Sequence, residues 1–135
     1  MQAHSLRNVY LWGIKIFIFI IPFLSLWIAQ SMYFPYITGR NFGFRILIEL
    51  GLVLWVGLMI LDKNYRPKTT LMFWAVAFLI IILGLAELLG INAYNSFWSR
   101  FERMEGYLMF LHLFGYFLLF TNVFKTKKDW LTFFN

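Results

Sequence analysis

The sequence predicts an all-α, polytopic integral membrane protein in which four transmembrane helices form a bundle. Of its 135 residues, 61% are hydrophobic and only 13% are charged, whereas soluble domains are about 45–50% apolar and about 25% charged. Four apolar stretches each approach the roughly 20 residues that a helix needs to cross a hydrocarbon core of about 30 Å. Basic residues collect between these stretches, as they do in cytoplasmic loops. A bundle of four helices would use nearly all of this single-domain chain.

The first predicted span covers residues 9–31 and is interrupted by Lys15 and Pro22. Lys15 lies roughly 9 Å from the inner end of this helix, so we expect its ammonium group to reach the cytoplasmic interface. A cleaved signal peptide is the alternative, because Ala29-Gln30-Ser31 resembles a cleavage site. The apolar run is longer than the usual stretch of about 7–15 residues and contains a lysine, which favours a span.

The other predicted spans cover residues 44–61, 69–91 and 106–124, and the second is the shortest. Arg66-Pro67 predicts the turn between the second and third spans, because the residue before proline disfavours helix. After the fourth span, residues 130–135 are apolar again. We expect them to open a further span of a longer protein, with a short interfacial helix as the alternative.

The distribution of charge predicts the orientation. Both termini and the loop between the second and third spans share one side, which carries eight Lys and Arg against two Asp. The other side carries four Arg against four Glu, so the whole net charge of +6 belongs to the first side. Because basic loops stay in the cytoplasm, both termini are predicted there, in the cell's inner (plasma) membrane. The first set comprises Arg7, Lys15, Lys63, Arg66, Lys68, Lys125, Lys127 and Lys128 with Asp62 and Asp129.

Composition excludes several kinds of site. The chain has no cysteine and only two histidines, His4 and His112, which lie far apart, so neither a disulfide framework nor a metal centre is expected. The basic residues alternate with apolar runs and form no patch, so nucleic acid is not expected as a partner despite the pI of about 9.8. No cofactor is implied.

Charged residues on the predicted outer side are the candidate site, because charges in or beside spans usually face protein or water. Guanidinium groups match phosphate oxygens bidentately, so the arginines are candidates for lining a site for a lipid phosphate or substrate. They are Arg40, Arg45, Arg100 and Arg103, with Glu49, Glu87, Glu102, Glu105 and His112 as supporting polar residues.

A second interpretation of these charges stays open. Arg45 and Glu49 are four residues apart, and Arg103 is next to Glu102 and near Glu105, so they could form local ion pairs that let polar groups lie at the interface. His112 alone is more typical of a hydrogen-bonded residue between helices than of a general base. No catalytic residue is predicted.

Residues 95–106 (NSFWSRFERMEG) predict a short amphipathic helical turn on the outer membrane surface. Ser99 and Glu102 have capping-box spacing. Phe97, Phe101, Met104 and Leu108 would follow on one face.

Three stretches together resemble a known family: residues 34–45 (FPYITGRNFGFR), residues 65–68 (YRPK) and residues 96–106 (SFWSRFERMEG), followed by His112 and Lys128-Asp129-Trp130. They look like the N-terminal region of O-antigen ligase-like polytopic membrane proteins. The most specific part is Glu102-Arg103-Met104-Glu105-Gly106. The similarity covers nearly the whole chain.

The resemblance implies part of a membrane-embedded, inverting glycosyltransferase of about ten or more helices. Such proteins transfer glycan from a polyprenyl-diphosphate carrier to a lipid, polymer or protein acceptor. The expected partners are therefore the lipid bilayer, the carrier-linked glycan and the remaining helices of the full-length protein. The family's catalytic loop has no counterpart in these residues, so the fragment alone is expected to be inactive. The alternative is a complete small four-helix membrane protein with a structural, lipid-binding or assembly role.

Overall fold

The computed structural model describes residues 2–30, 34–100 and 105–134, with side chains from residue 5 onward. Within these ranges the chain is helical and contains no strand, which confirms the all-α prediction. The helices are α1 (Gln2–Phe23), α2 (Thr38–Leu61), α3 (Leu71–Leu88), α4 (Ala93–Trp98), α5 (Tyr107–Val123) and α6 (Lys127–Phe134). Single 3₁₀ turns, Leu24–Leu26 and Lys63–Tyr65, follow α1 and α2.

Three helical segments are long and apolar enough to cross a membrane: Ser5–Leu26, Thr38–Leu61 and Leu71–Leu88. A fourth apolar helix, α5, is shorter at 17 residues. Large hydrophobic side chains lie on the outside, with Leu71 88% exposed and Ile60 79% exposed. An apolar surface of this extent is unusual in a soluble monomer, so these helices suggest a membrane protein.

The first two helices begin before the predicted spans. α1 includes the polar residues that precede position 9, and α2 begins at Thr38 rather than at position 44. Hydropathy finds the part of a helix that suits hydrocarbon, whereas polar residues can continue the helix in the interface. α1 also ends earlier than predicted, one residue after Pro22. There Ser25 Oγ donates to the Pro22 carbonyl at 2.8 Å, which satisfies one group at the helix end.

The core lies between α1, α2 and α5. Its most buried side chains come from all three helices and include Ile14, Ile48 and Leu119. Glycines bring α2 and α5 close together: a Cβ added at Gly51 would lie 2.8 Å from Leu119 Cδ1, and one at Gly115 would lie 3.0 Å from Ile48 Cγ2. Small residues allow the same close approach of helices in membranes generally.

In contrast, α3 packs against α5 and α4 and buries only Ile80 and Gly84. The Tyr107 hydroxyl donates to the Ile80 carbonyl at 3.0 Å and lies over Gly84, where an added Cβ would be 2.6 Å away. A hydrogen bond and a close contact therefore attach α3 to the start of α5.

The helix directions create two distinct ends of the bundle. The starts of α1 and α3, the ends of α2 and α5, and α6 share one end, which we name the basic end. Contacts join the chain segments at the basic end; for example, Arg7 Nη1 lies 3.5 Å from Asp62 Oδ2. The end of α1, the start of α2, the end of α3, α4 and the start of α5 share the other, which we name the mixed end. Arg40 Nε donates there to the Trp27 carbonyl at 2.9 Å.

The last described helix packs back on the bundle at the basic end. Phe133 of α6 lies edge-on to Phe19 of α1, with ring centroids 5.2 Å apart, and to Phe120 of α5 at 5.0 Å. The aromatic face of α6 therefore packs against α1 and α5.

Candidate functional site

Two ionisable side chains from different helices are in contact at the middle of α2 and in the first half of α5. His112 Nε2 of α5 lies 3.1 Å from Glu49 Oε1 of α2, and His112 Nδ1 lies 2.7 Å from the Leu108 carbonyl oxygen. The imidazole is 11% exposed and the carboxyl group 65% exposed. The pair therefore bridges α2 and α5 with its imidazole inside and its carboxyl group towards the surface.

The geometry requires one hydrogen in each of the two contacts that the His112 ring makes, although the hydrogen need not be carried by the ring in both. A carbonyl oxygen can only accept, so Nδ1 must donate to Leu108. Nε2 then faces a carboxyl oxygen, and two acceptors would repel each other without a hydrogen between them. The pair is either imidazolium with carboxylate or neutral imidazole with protonated Glu49. In both forms one proton joins α2 to α5.

Arg45 lies one helical turn before Glu49 and is buried, with 7% of its surface exposed. It shares the interior with Phe44 and Ile48. The charge of Glu49 is near enough to act on its guanidinium group. A buried arginine within an apolar helix is costly in a membrane, which makes Arg45 a candidate functional residue.

Arg40 connects two chain segments at the mixed end. Its bond to the Trp27 carbonyl attaches the start of α2 to the segment that follows α1. The Ala29 N–H donates to the Pro35 carbonyl at 3.1 Å, which closes the same connection. Gly39 allows it, because an added Cβ would lie 2.5 Å from Ala29 Cβ. Arg40 is therefore held in place beside the entry to α2.

Three other predicted site residues, Glu87, Arg100 and Glu105, are described and lie apart from this group. Glu87 is half-buried near the end of α3, and Arg100 and Glu105 are exposed. In the described part of the chain, no hydrogen bond or ion pair links these three to Glu49 or His112. Arg103 and Glu102 lie outside the described residues.

The short helix near the mixed end begins earlier than predicted. α4 starts after Asn92, whose side chain accepts from the Asn95 N–H at 3.3 Å. Ser99 follows the last residue of α4 and has φ 61°. Asn92 therefore caps α4, and Ser99 lies at its end. The turn that Ser99 and Glu102 are predicted to cap falls on residues 101–104, outside the described residues. Phe101 and Met104 lie outside the described residues.

The basic end holds a cavity of about 420 Å³ that the sequence did not reveal. Its lining residues come from four separate parts of the chain and include three cations and one carboxylate. They are Arg7, Asp62, Asn64, Tyr65, Lys68 and Lys125. In the sequence these cations serve only as indicators of topology, since no local spacing brings the start of α1 next to the end of α5.

Lys15 also has a partner at the basic end. Its ammonium group lies 2.5 Å from Asp129 Oδ1 of α6. Burial alone would raise the pKa of Asp129, but hydrogen bonds from Lys15 and from the side chain and backbone of Thr126 outweigh it, so the pKa lies below its usual value. The sequence predicted that Lys15 reaches towards the interface but gave no partner for it.

Among the described residues, the candidate site offers charge and a held proton. Arg45 supplies a fixed cation, and the His112–Glu49 pair holds a proton between helices. In the described part of the chain, no group of three His, Cys, Asp or Glu side chains could hold a metal ion. Searches against family models, curated proteins and solved structures return no match to the chain.

Proposed function

We propose that the chain is the N-terminal membrane portion of an O-antigen ligase-like glycosyltransferase, which transfers glycan from a polyprenyl-diphosphate carrier to a lipid, polymer or protein acceptor. The resemblance of residues 34–45 and 96–106 to that family motivates the proposal. Residues 34–45 lead into α2, and residues 96–106 end where α5 begins. Both helices start at the mixed end, so the two stretches that carry the resemblance belong to the same end of the bundle.

The observation that carries the proposal is the burial of Arg45 one turn from the His112–Glu49 pair. A guanidinium group binds two phosphate oxygens at once and remains charged in apolar surroundings. In the proposed role Arg45, with Arg40 at the entry to α2, contributes to the lining that holds the carrier diphosphate. We assign no catalytic residue to this chain, because the remaining helices and a large periplasmic loop of the full-length protein would supply the reacting groups.

The proposal includes an orientation in the inner membrane. All four apolar helices cross, the basic end faces the cytoplasm and the mixed end faces the outside. The positive-inside rule supports this orientation, because the eight basic residues of one side lie in or near its short loops. α5, at about 25 Å, is somewhat shorter than the hydrocarbon core, and local thinning of the bilayer accommodates such a difference at modest cost.

The first experiment reads the gene beyond codon 135 and measures glycan transfer by the full-length product in cells. Arg45→Gln should reduce transfer at least tenfold, about 1.4 kcal/mol of lost stabilisation. Arg45→Lys should restore part of it, because a lysine keeps the charge but loses the bidentate fork.

Arg66→Gln is the matched control, since it removes one arginine at the basic end. Equal membrane abundance of the variants shows that they fold. Wild-type transfer by Arg45→Gln, or an equal loss in Arg66→Gln, would contradict the proposed role of Arg45. A stop codon directly after codon 135 would contradict the assignment to a longer glycosyltransferase.

A second candidate, a small lipid-binding or assembly protein, is favoured by one observation. α6 packs on α1 and α5 through Phe133 and Lys15–Asp129, so the described helices close on themselves at the basic end. This candidate predicts that the 135-residue chain is monodisperse in detergent and persists in cells. Rapid proteolysis of that chain, beside a stable longer product, would exclude it.

A further inference from the structure

The cavity at the basic end is built from both side chains and backbone. Arg7 comes from α1, Asp62 from the end of α2, Lys68 from the approach to α3 and Lys125 from the end of α5. A site whose walls come from four segments exists only in the folded bundle. Its composition therefore reflects the fold rather than a local run of basic residues.

Hydrogen bonds fix the walls of the cavity. The Lys68 backbone N–H donates to Asn122 Oδ1 at 3.2 Å, and Asn122 is buried in α5. Trp55 Nε1 donates to the Tyr65 carbonyl at 3.0 Å, which holds the turn after α2 against the core. The loop that carries Lys68 is therefore attached to two helices, and its cation is presented by a defined backbone.

The cations in the cavity outnumber the carboxylate. Asp62 pairs with Arg7 at 3.5 Å. Lys125 Nζ donates instead to the Asn64 carbonyl and lies 3.8 Å from the centroid of the Tyr65 ring. Within the described ranges, neither Lys68 nor Lys125 forms an ion pair with a carboxylate. Two ammonium groups thus share a cavity in which the one lining carboxylate, Asp62, is already paired with Arg7.

The surroundings of Lys125 favour loss of its positive charge. Burial lowers its pKa, the nearby charge of Lys68 lowers it further, and Asp62 opposes both only in part. An anion placed between the two lysines would raise the pKa of Lys125, because a nearby negative charge favours the charged ammonium form. The folded chain therefore contains an unbalanced positive site that an external anion would complete.

We propose that the basic-end cavity binds a phosphate group through Lys68 and Lys125, with Arg7 beside them. Its volume of about 420 Å³ accommodates a phosphate and part of its substituent. The cavity opens where α3 begins and α5 ends, at the boundary of the apolar helices, which is the depth of a phospholipid headgroup. Basic pockets between helices on the cytoplasmic side commonly hold such headgroups. The inference is independent of the glycosyltransferase proposal, which concerns the other end.

The test measures how fast an amine-reactive ester modifies Lys125 in the wild-type protein, by mass spectrometry in lipid nanodiscs. Lys127, two residues away, is the internal control. A bound phosphate raises the pKa of Lys125 and covers its amine. Since only the neutral amine reacts, an increase of one pKa unit slows modification about tenfold. We expect this slowing with phosphatidylglycerol, relative to phosphatidylcholine, at Lys125 and not at Lys127.

Two further conditions identify the source of the phosphate. Inorganic phosphate is added to phosphatidylcholine nanodiscs, with chloride at equal ionic strength as its reference. Protection of Lys125 there assigns the site to free phosphate, and protection with phosphatidylglycerol alone assigns it to a lipid headgroup. Both support the proposal. No selective protection in either condition overturns it, and so does equal protection by oleate, which carries charge without phosphate.

A variant tests the second lysine without altering the labelled one. Lys68→Gln should remove most of the protection of Lys125, whereas Lys63→Gln, which removes a cation of the same loop outside the cavity, should leave it. Unchanged protection in Lys68→Gln would overturn the assignment. The comparison of lipids in the wild-type protein does not depend on any variant. If Lys68→Gln fails to fold, that comparison can therefore still refute the proposal.

Discussion

The two ends of the bundle hold their charges in opposite ways. At the basic end, long side chains reach from helix termini and loops to partners on other segments, as Arg7 reaches Asp62. At the mixed end, Arg45 and the His112–Glu49 pair lie within apolar helices. A lysine near an interface costs little because its ammonium group extends to water, whereas a charge inside an apolar helix needs a partner at a fixed depth. The larger charge excess therefore lies mainly in loops and near helix termini, and the smaller, balanced set contains the candidate site.

Gly106→Ala should have the largest effect, because it disrupts the mixed end without changing a charge. An added Cβ would lie 2.6 Å from the Ser96 carbonyl oxygen and 2.7 Å from the Ser99 nitrogen. Both are backbone atoms, so α4 must move. We expect a loss of about 1–3 kcal/mol in the free energy of unfolding, measured by denaturant titration in detergent micelles.

The control for Gly106→Ala is Gly90→Ala, whose added Cβ would meet its nearest neighbour at an ordinary 3.4 Å. It should change stability far less. Modification of Lys125 at the basic end should be unaffected by either variant. Equal destabilisation by both would show that the junction of α4 and α5 does not depend on the missing side chain.

A double-mutant cycle of Glu49→Gln and His112→Gln tests whether the mixed-end pair couples α2 to α5. We expect a coupling free energy of about 0.6 kcal/mol, and at most about 1.7 kcal/mol, as for hydrogen bonds between other transmembrane helices. Glu87→Gln with His112→Gln is the matched cycle, since no bond joins Glu87 to the pair. If both cycles give the same coupling, the 3.1 Å contact contributes nothing specific.

Asp129→Asn should have the smallest effect, about 0.2–1 kcal/mol, because the Lys15–Asp129 pair is partly exposed. The native pKa of Asp129 lies below its usual value. The pair therefore stabilises the fold above the usual carboxyl pKa, and this contribution is lost as pH falls through the lowered native value. The difference in unfolding free energy between wild type and Asp129→Asn should be full at neutral pH and vanish in acid. A difference that is constant with pH would assign the effect to packing instead.

Hydropathy predicted the apolar parts of the helices well, because burial in lipid requires continuous apolar sequence. The last two spans agree with α3 and α5 to within about three residues at each end, a usual uncertainty for helix boundaries. Both ends of α1 and the start of α2 differed more, because polar residues extended both helices at their starts and Pro22 preceded a turn. The end of α2 at Leu61 agrees with the prediction. The cap of α4 at Asn92 was not predicted, and the capping box predicted at Ser99 and Glu102 falls partly outside the described residues.

Contacts between distant residues were beyond the reach of the sequence. Lys15 and Asp129 are 114 positions apart, and Glu49 and His112 are 63 apart. Charge patterning grouped Lys15 with Asp129 and Glu49 with His112, and the structure brings the members of each pair into contact. Choosing partners within an end requires the rotation of each helix, which the weakly periodic apolar spans do not encode. The basic-end cavity was missed for the same reason.

The His112–Glu49 contact also imposes an order on synthesis. Ribosomes add about 5–20 residues per second, so His112 emerges roughly 3–13 s after Glu49, given the 63 positions between them. During that interval α1 and α2 can already pair, but the carboxyl group of α2 faces the membrane without its imidazole. A nascent chain halted before α5 therefore contains Glu49 without its imidazole partner. Arrival of α5 gives that carboxyl group its imidazole partner, so the same contact marks the moment at which this segment has assembled.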